Sequence, residues 1–174
     1  AWGVATQVYA LRTATDWGVG TYQALGDLAE GVARLGAACV GVNPLHALFP
    51  GQPGRFSPYA PSSRTFLNVA AIDVEAIPEF VTTREARRLY GAPGFQQMLA
   101  QARSAPLVDY DLHARLTRPV LEALFKAFRA AHLAPGAEDP RGLAFRAFQA
   151  EGGERARRFA VVEALSEARG GYWR

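Results

Sequence analysis

Two short β-rich apolar runs, separated by one amphipathic run, constrain this chain more than any other feature. Val4–Leu11, bounded by Gly3 and by Arg12-Thr13, reads as a first strand. The loop Thr15-Asp16-Trp17-Gly18-Val19-Gly20 follows. Thr21 is placed to cap a helix that ends at Gly36. Leu25, Leu28, Val32 and Leu35 recur at spacings of three and four, which gives that helix one apolar face. Ala37 to Leu45 is then nearly continuous in apolar residues, as strands buried on both faces of a parallel sheet are. Strand, helix and strand in this order make a right-handed βαβ unit. Both strands point their C-terminal ends the same way, so the Trp17 loop and the segment after Asn43 share one face. That is where α/β folds hold their ligands.

The segment after the second strand is built for rigidity. Residues 44–61 hold five of the eleven prolines (Pro44, Pro50, Pro53, Pro58 and Pro61). This excludes helix and central strand there, and lowers the entropy lost in holding a loop ready for a ligand. Sugar sites pair flat apolar surfaces with fixed polar groups. Phe56, Tyr59, Ser57, Ser62, Ser63, Asn43 and His46 supply both within one stretch. Tyr59, in Ser57-Pro58-Tyr59-Ala60-Pro61, is the residue expected to stack on a ring, the alternative being a tyrosine packed on the rim of the fold. Asn43 and His46 either face the ligand or hold the loop through hydrogen bonds to backbone. Trp17 either lines the cleft or plugs the core.

Ala70–Glu75 alternates apolar and polar residues before Pro78 and suggests a short edge strand. Asp73 and Glu75 would then point to one side, in solvating or capping roles rather than as a catalytic pair. Beyond Phe80 the pattern is mostly helical. Thr83 begins a helix that breaks around Gly91–Gly94 and resumes to about Arg103. From His113 to His132, Leu116, Val120, Leu124 and Phe128 form a stripe widened by Leu121 and Phe125, with Pro119 as a kink or first turn. Helical segments follow around 143–150 and 154–168. Two domain portions are expected, 1–80 with the strands and loop, and 81–174 as a helical insertion.

Composition removes other classes. The chain is 49% hydrophobic and 20% charged, the profile of a folded domain. No apolar run approaches the ~20 residues of a membrane span. Net charge is +3, and the 19 basic residues, all arginine except Lys126, alternate with acids as on solvated helices, not as in a nucleic-acid reader. Cys39 stands alone in the second apolar run, where a buried, inert thiol is expected. His46, His113 and His132 lack metal-ligand spacing, so no zinc site is expected. A cytoplasmic setting is the default. The chain starts at Ala1 and ends near the large aromatics Tyr172 and Trp173, so it reads as part of a longer product.

Gly3-Val4-Ala5-Thr6-Gln7-Val8-Tyr9-Ala10-Leu11-Arg12, Asp16-Trp17-Gly18-Val19-Gly20, the run from Leu35 to Pro50, Ser57-Pro58-Tyr59-Ala60-Pro61-Ser62-Ser63-Arg64, Phe66-Leu67-Asn68 and Asp73–Phe80 occur in order. Together they resemble the 4-α-glucanotransferases of the amylomaltase (disproportionating enzyme) family, densely over residues 2–80 and more loosely to the end. The resemblance implies an α/β fold, a partial (β/α)8 TIM barrel carrying its first βαβ unit and a helical insertion. It implies transfer of α-1,4-glucan segments between maltooligosaccharides through a covalent glycosyl-enzyme, with an Asp nucleophile, a Glu acid–base and a second Asp. It implies no cofactor, and no partner beyond glucans and the remainder of the barrel.

By position, Tyr59 matches the family's ring-stacking tyrosine, Ser57 and Pro58 belong to its substrate loop, and Asn43 and His46 sit at the end of the second strand. No position here corresponds to the family's catalytic carboxylates, which lie on later strands. A barrel takes about 250 residues, so the isolated piece is expected to fold poorly and not to transfer glucan. A non-catalytic α-glucan-binding module and another α-amylase-like hydrolase are the competing expectations.

Overall fold

In a computed structural model that describes residues 1–171, the βαβ unit forms and the helical half packs around its own core. Strand β1 (Gly3–Thr6) pairs in parallel with β2 (Cys39–Val42), in the register Gly3–Cys39 to Thr6–Val42. Both strands are shorter than their apolar runs. The first run leaves the sheet at Gln7 and tightens into a 3₁₀ turn, Val8–Ala10. The connecting helix α1 (Tyr22–Arg34) starts where expected, with the Thr21 side chain accepting from the Ala24 N–H at 3.2 Å. It ends in a Schellman turn: Gly36 at φ +89° donates to Ala33 O, and Ala37 donates to Val32 O.

The sheet differs from the doubly covered one expected. It has two strands, and Cys39, Gly41 and Val42 are exposed. Cys39 is thus an exposed free thiol and not a buried one. The physical reason is that β2 hydrogen-bonds to β1 alone among the described residues, so nothing covers its outer edge and face. Leu35, expected on the buried face of α1, lies past the last helical turn and is 75% exposed. Ala24 is buried instead, and Leu25, Leu28 and Val32 are half-buried.

A second, antiparallel pair joins β3 (His46–Ala47) to β4 (Ser63–Leu67) across the proline-rich loop. Residues 70–75 are not a strand. Asn68 caps a 3₁₀ turn, Val69–Ala71, through its side chain and the Ala70 N–H, and the chain then bends into α2 (Glu79–Thr82). The buried positions there are Ala71 and Val74, three apart, the spacing of a 3₁₀ turn and not the two-residue period of a strand.

Helices α3 (Arg84–Tyr90) and α4 (Pro93–Ser104) are separated by the expected Gly91-Ala92 break. Helix α5 (Tyr110–His132) begins one turn earlier than the apolar stripe suggests, because the Asp109 carboxylate caps it by accepting from the Leu112 N–H at 2.8 Å. Pro119 lies inside α5, where it removes one backbone donor from the ladder. The last helix, α6 (Pro140–Arg169), is two segments joined at Gly153, whose φ of +52° and ψ of −142° no helix accommodates. The aromatic end, Tyr172 and Trp173, lies outside the described residues.

The core sits among the helices. Leu99, Leu112, Leu116 and Val120 are its largest fully buried side chains, with Phe80, Phe95, Ala86 and Leu124 around them. Trp17 reaches into this core from the β1–α1 loop and is 4% exposed. Its ring stacks on Tyr90 at 5.8 Å and meets Phe95 and Phe80 edge-on at 5.2 and 6.2 Å. It is therefore the plug and not a cleft residue.

Candidate functional site

The face at the C-terminal ends of β1 and β2 is assembled by backbone-directed side chains. Asn43 follows β2, and its Oδ1 accepts from the Val8 N–H at 3.0 Å, clamping the turn after β1 to the end of β2. His46 is half-buried in β3, opposite Leu67. Ser62 closes the proline-rich loop at its base, its N–H donating to Ala47 O and its hydroxyl to the carbonyls of Ala47 and Leu48.

Beyond that closure, Ser57-Pro58-Tyr59-Ala60 forms a turn in which Ala60 N–H donates to Ser57 O at 3.1 Å. Pro58 takes the second position, where its fixed φ pre-organises the turn. Tyr59 takes the third and stands 72% exposed. Immediately before the turn, Phe56 lies flat on Tyr110 of α5, with ring centroids 5.0 Å apart and planes 6° from parallel. Arg55 covers the Phe49 ring at 3.7 Å. The result is an exposed aromatic ring on a proline-stiffened turn, flanked by the exposed Ser57, with its stem braced on both sides.

Ser57, Pro58 and Tyr59 are thus together in one turn, while Asn43 holds backbone at the end of β2 and His46 lies in β3, outside that turn. A cavity of about 730 Å3 lies elsewhere. It is apolar, runs between the 47–53 loop, α5 and α6, and is lined by Phe49, Leu121, Phe125, Phe145 and Phe159 among others. None of the five expected residues lines it. The residue that sequence reasoning missed is Tyr110. Its signal was Asp109, a capping residue that moves the helix start forward and brings Tyr110 onto the first turn, beside the loop.

The acidic side chains near this face are committed to structure. Glu75 accepts from the Trp17 indole N–H at 2.8 Å, and Asp73 accepts from the Ala76 N–H at 3.3 Å. Asp16 is buried and receives Thr13 N–H, Gly18 N–H and the Arg12 guanidinium. Farther off, the buried Glu79 carboxylate pairs with Arg141, and His132 bridges Glu79 at 3.4 Å and Asp139 at 2.7 Å. That row staples α2, the end of α5 and the start of α6. Among the described residues no group of three His, Cys, Asp or Glu is placed to hold a metal ion.

Of the groups with shifted proton affinities, Tyr110 and His113 on α5 bear on this face. Burial pushes the Tyr110 hydroxyl up to about 12, with the neighbouring Tyr9 adding to it, so this ring is neutral at any working pH. His113 is enclosed, with Nδ1 3.0 Å from Trp17 O, so Nδ1–H is the donor. Burial pulls its pKa down, against the carbonyls of Trp17 and Ala70 and the carboxylate of Asp16, which favour the charged form.

For a base whose folded pKa is depressed, the unfolded state takes the proton first. Stability is therefore complete above the unfolded value of about 6.5 and falls as pH drops below it. The urea midpoint is expected to decline from pH 7 to pH 5. His113→Leu is expected to flatten that slope, and an unchanged slope would remove His113 as its source.

A family model described as 4-alpha-glucanotransferase (glycoside hydrolase family 77) matches residues 6–174. A 4-alpha-glucanotransferase of Haemophilus influenzae is 38% identical over 128 residues, covering 74% of this chain and 18% of that protein. One from Mycobacterium bovis is 36% identical over 180 aligned positions, covering 99% of this chain and 24% of that protein. The crystal structure of amylomaltase from Corynebacterium glutamicum superposes with a TM-score of 0.61 at 35% identity, covering 72% of this chain and 18% of that one. The chain thus spans about a fifth to a quarter of the length of these relatives. With a match that runs over nearly all of its residues, the chain belongs to the 4-alpha-glucanotransferase family.

Proposed function

We propose that this chain is the substrate-loop portion of a 4-α-glucanotransferase, and that β1, α1 and β2 are the first βαβ unit of a (β/α)8 barrel. The observation that carries the reading is the family match over residues 6–174 falling on a chain whose exposed Tyr59 crowns a rigid loop at the C-terminal ends of two parallel strands. In this reading residues 1–80 supply barrel strands and loop, and residues 81–174 the helical insertion. The open edge and outer face of β2 meet the remainder of the barrel. Tyr59 lies against the apolar C–H face of a glucose unit, and Ser57 offers its hydroxyl to a sugar oxygen. Asn43 and His46 support the loop from below.

The reaction is transfer of an α-1,4-glucan segment between maltooligosaccharides in the cytoplasm, with the nucleophile and acid–base carboxylates supplied by other strands. A covalent intermediate must wait there for an acceptor hydroxyl while water is held off, and apolar surface over the sugar favours that. No organic cofactor or metal enters this chemistry.

In the full-length enzyme, Tyr59→Ala is expected to lower kcat/KM for maltotriose disproportionation about tenfold or more, equivalent to losing about 1.4 kcal/mol of stacking. Tyr59→Phe, which keeps the ring, is expected to retain most activity. An alanine variant with wild-type kinetics would remove Tyr59 from the glucan contact. The 174-residue chain alone is expected to release no glucose from maltotriose.

A further inference from the structure

The loop that carries Tyr59 is fastened at its base by Ser62, but its tip reaches the helical half through an aromatic stack. Tyr110 occupies the first turn of α5, a helix locked into the core by Leu112, Leu116 and Val120 and tied to the β1–α1 loop through His113 and Trp17 O. Its ring is half-buried and cannot swing freely. Phe56 lies on it with planes 6° apart, leaving Phe56 52% exposed on the other side. The Ser57–Ala60 turn starts at the next residue, so the orientation of Phe56 sets the direction in which the turn leaves the shelf. Pro58 passes that direction to Tyr59 with little slack.

We propose that Tyr110 is a positioning residue for the substrate loop, acting through Phe56 to hold the Tyr59 ring where a glucose unit can lie against it. The inference rests on the reading of Tyr59 as a glucan contact. Tyr110 on this account touches Phe56 and not the sugar, so removing either member of the stack has the same consequence. The loop keeps its base but loses its aim, and a ring that no longer meets the sugar loses binding common to substrate and transition state, which raises KM more than it lowers kcat.

Four variants of the full-length enzyme, Tyr59→Ala, Phe56→Ala, Tyr110→Ala and Tyr110→Phe, are assayed for maltotriose transfer. Phe56→Ala and Tyr110→Ala are each expected to raise KM about tenfold with a smaller change in kcat, and Tyr110→Phe, which keeps the stacking ring, to restore the wild-type value. In the Tyr59→Ala background neither is expected to add a further loss. Phe56→Ala removes an exposed side chain and leaves α5 intact, so it decides the matter even where Tyr110→Ala fails to fold.

Full additivity of Phe56→Ala or Tyr110→Ala with Tyr59→Ala would overturn the proposal, since it would mean an independent contact. So would wild-type KM in Phe56→Ala while Tyr59→Ala is impaired. Wild-type kinetics in Tyr59→Ala would instead strike down the glucan-contact reading on which the proposal stands.

Discussion

Trp17→Ala is expected to cost about 3–5 kcal/mol of stability, the range for truncating a large aromatic in a close-packed core. Three aromatic rings, Phe80, Tyr90 and Phe95, lie within 6.2 Å of the indole, and each comes from a different helix or helix end. Alanine leaves a void shared by all three, which cannot collapse without moving α2, α3 and α4 together. The substitution also strips the donor from Glu75, whose carboxylate is left with the distant Arg103 at 3.9 Å among the described residues. Trp17→Phe fills part of the space but loses the indole N–H, and is expected to fall between wild type and alanine. Urea unfolding of the chain, followed by far-ultraviolet circular dichroism, reads both. A loss below about 1 kcal/mol for alanine would contradict the plug assignment.

Gly20→Ala is expected to be comparably damaging for a different reason. A Cβ there would stand 2.0 Å from Val8 O and 2.7 Å from Leu11 O, both backbone atoms held by the 3₁₀ turn. Gly20 N–H also donates to Tyr9 O at 3.1 Å, so the two segments cannot part without losing that bond. Overpacking against backbone lies at or above the upper end of the usual range, about 3 kcal/mol. Gly26→Ala is the contrasting control. It lies inside α1 with nothing within 4 Å of the added Cβ, and is expected to stabilise the chain by roughly 0.5–1 kcal/mol through helix propensity. Equal unfolding midpoints for the two variants would refute the close-approach argument at Gly20.

The elements that could be read from the residues were those whose signals are local. Thr21 and the spacing of three and four fixed α1, and the Gly91–Gly94 break separated α3 from α4. The stiffness of the loop holding Tyr59 was legible because each proline restricts its own φ whatever the surroundings, while the turn at Ser57–Ala60 was not. Failures arose where burial depends on neighbours. Cys39 and Leu35 have core-like sequence contexts, but nothing described covers the outer side of the sheet they flank. Residues 70–75 alternate as a strand does, but the packing of the following turn buries Ala71 and Val74, three apart. The Phe56–Tyr110 stack joins positions 54 residues apart, and no periodicity reports such a pairing.

The Asn43–Val8 clamp also bears on the order in which the chain acquires its shape. The helices from α2 to α5 are built from contacts between sequence neighbours, which form early because little chain must be closed to make them. The β1–β2 ladder joins residues 36 positions apart, and its few hydrogen bonds repay that loop closure poorly. Once α1 has shortened the span, the single bond from Val8 N–H to Asn43 Oδ1 latches the two strand ends. The ladder is thus expected to form late, so Asn43→Ala is expected mainly to speed the parting of the strands, while the helical half assembles at its normal rate.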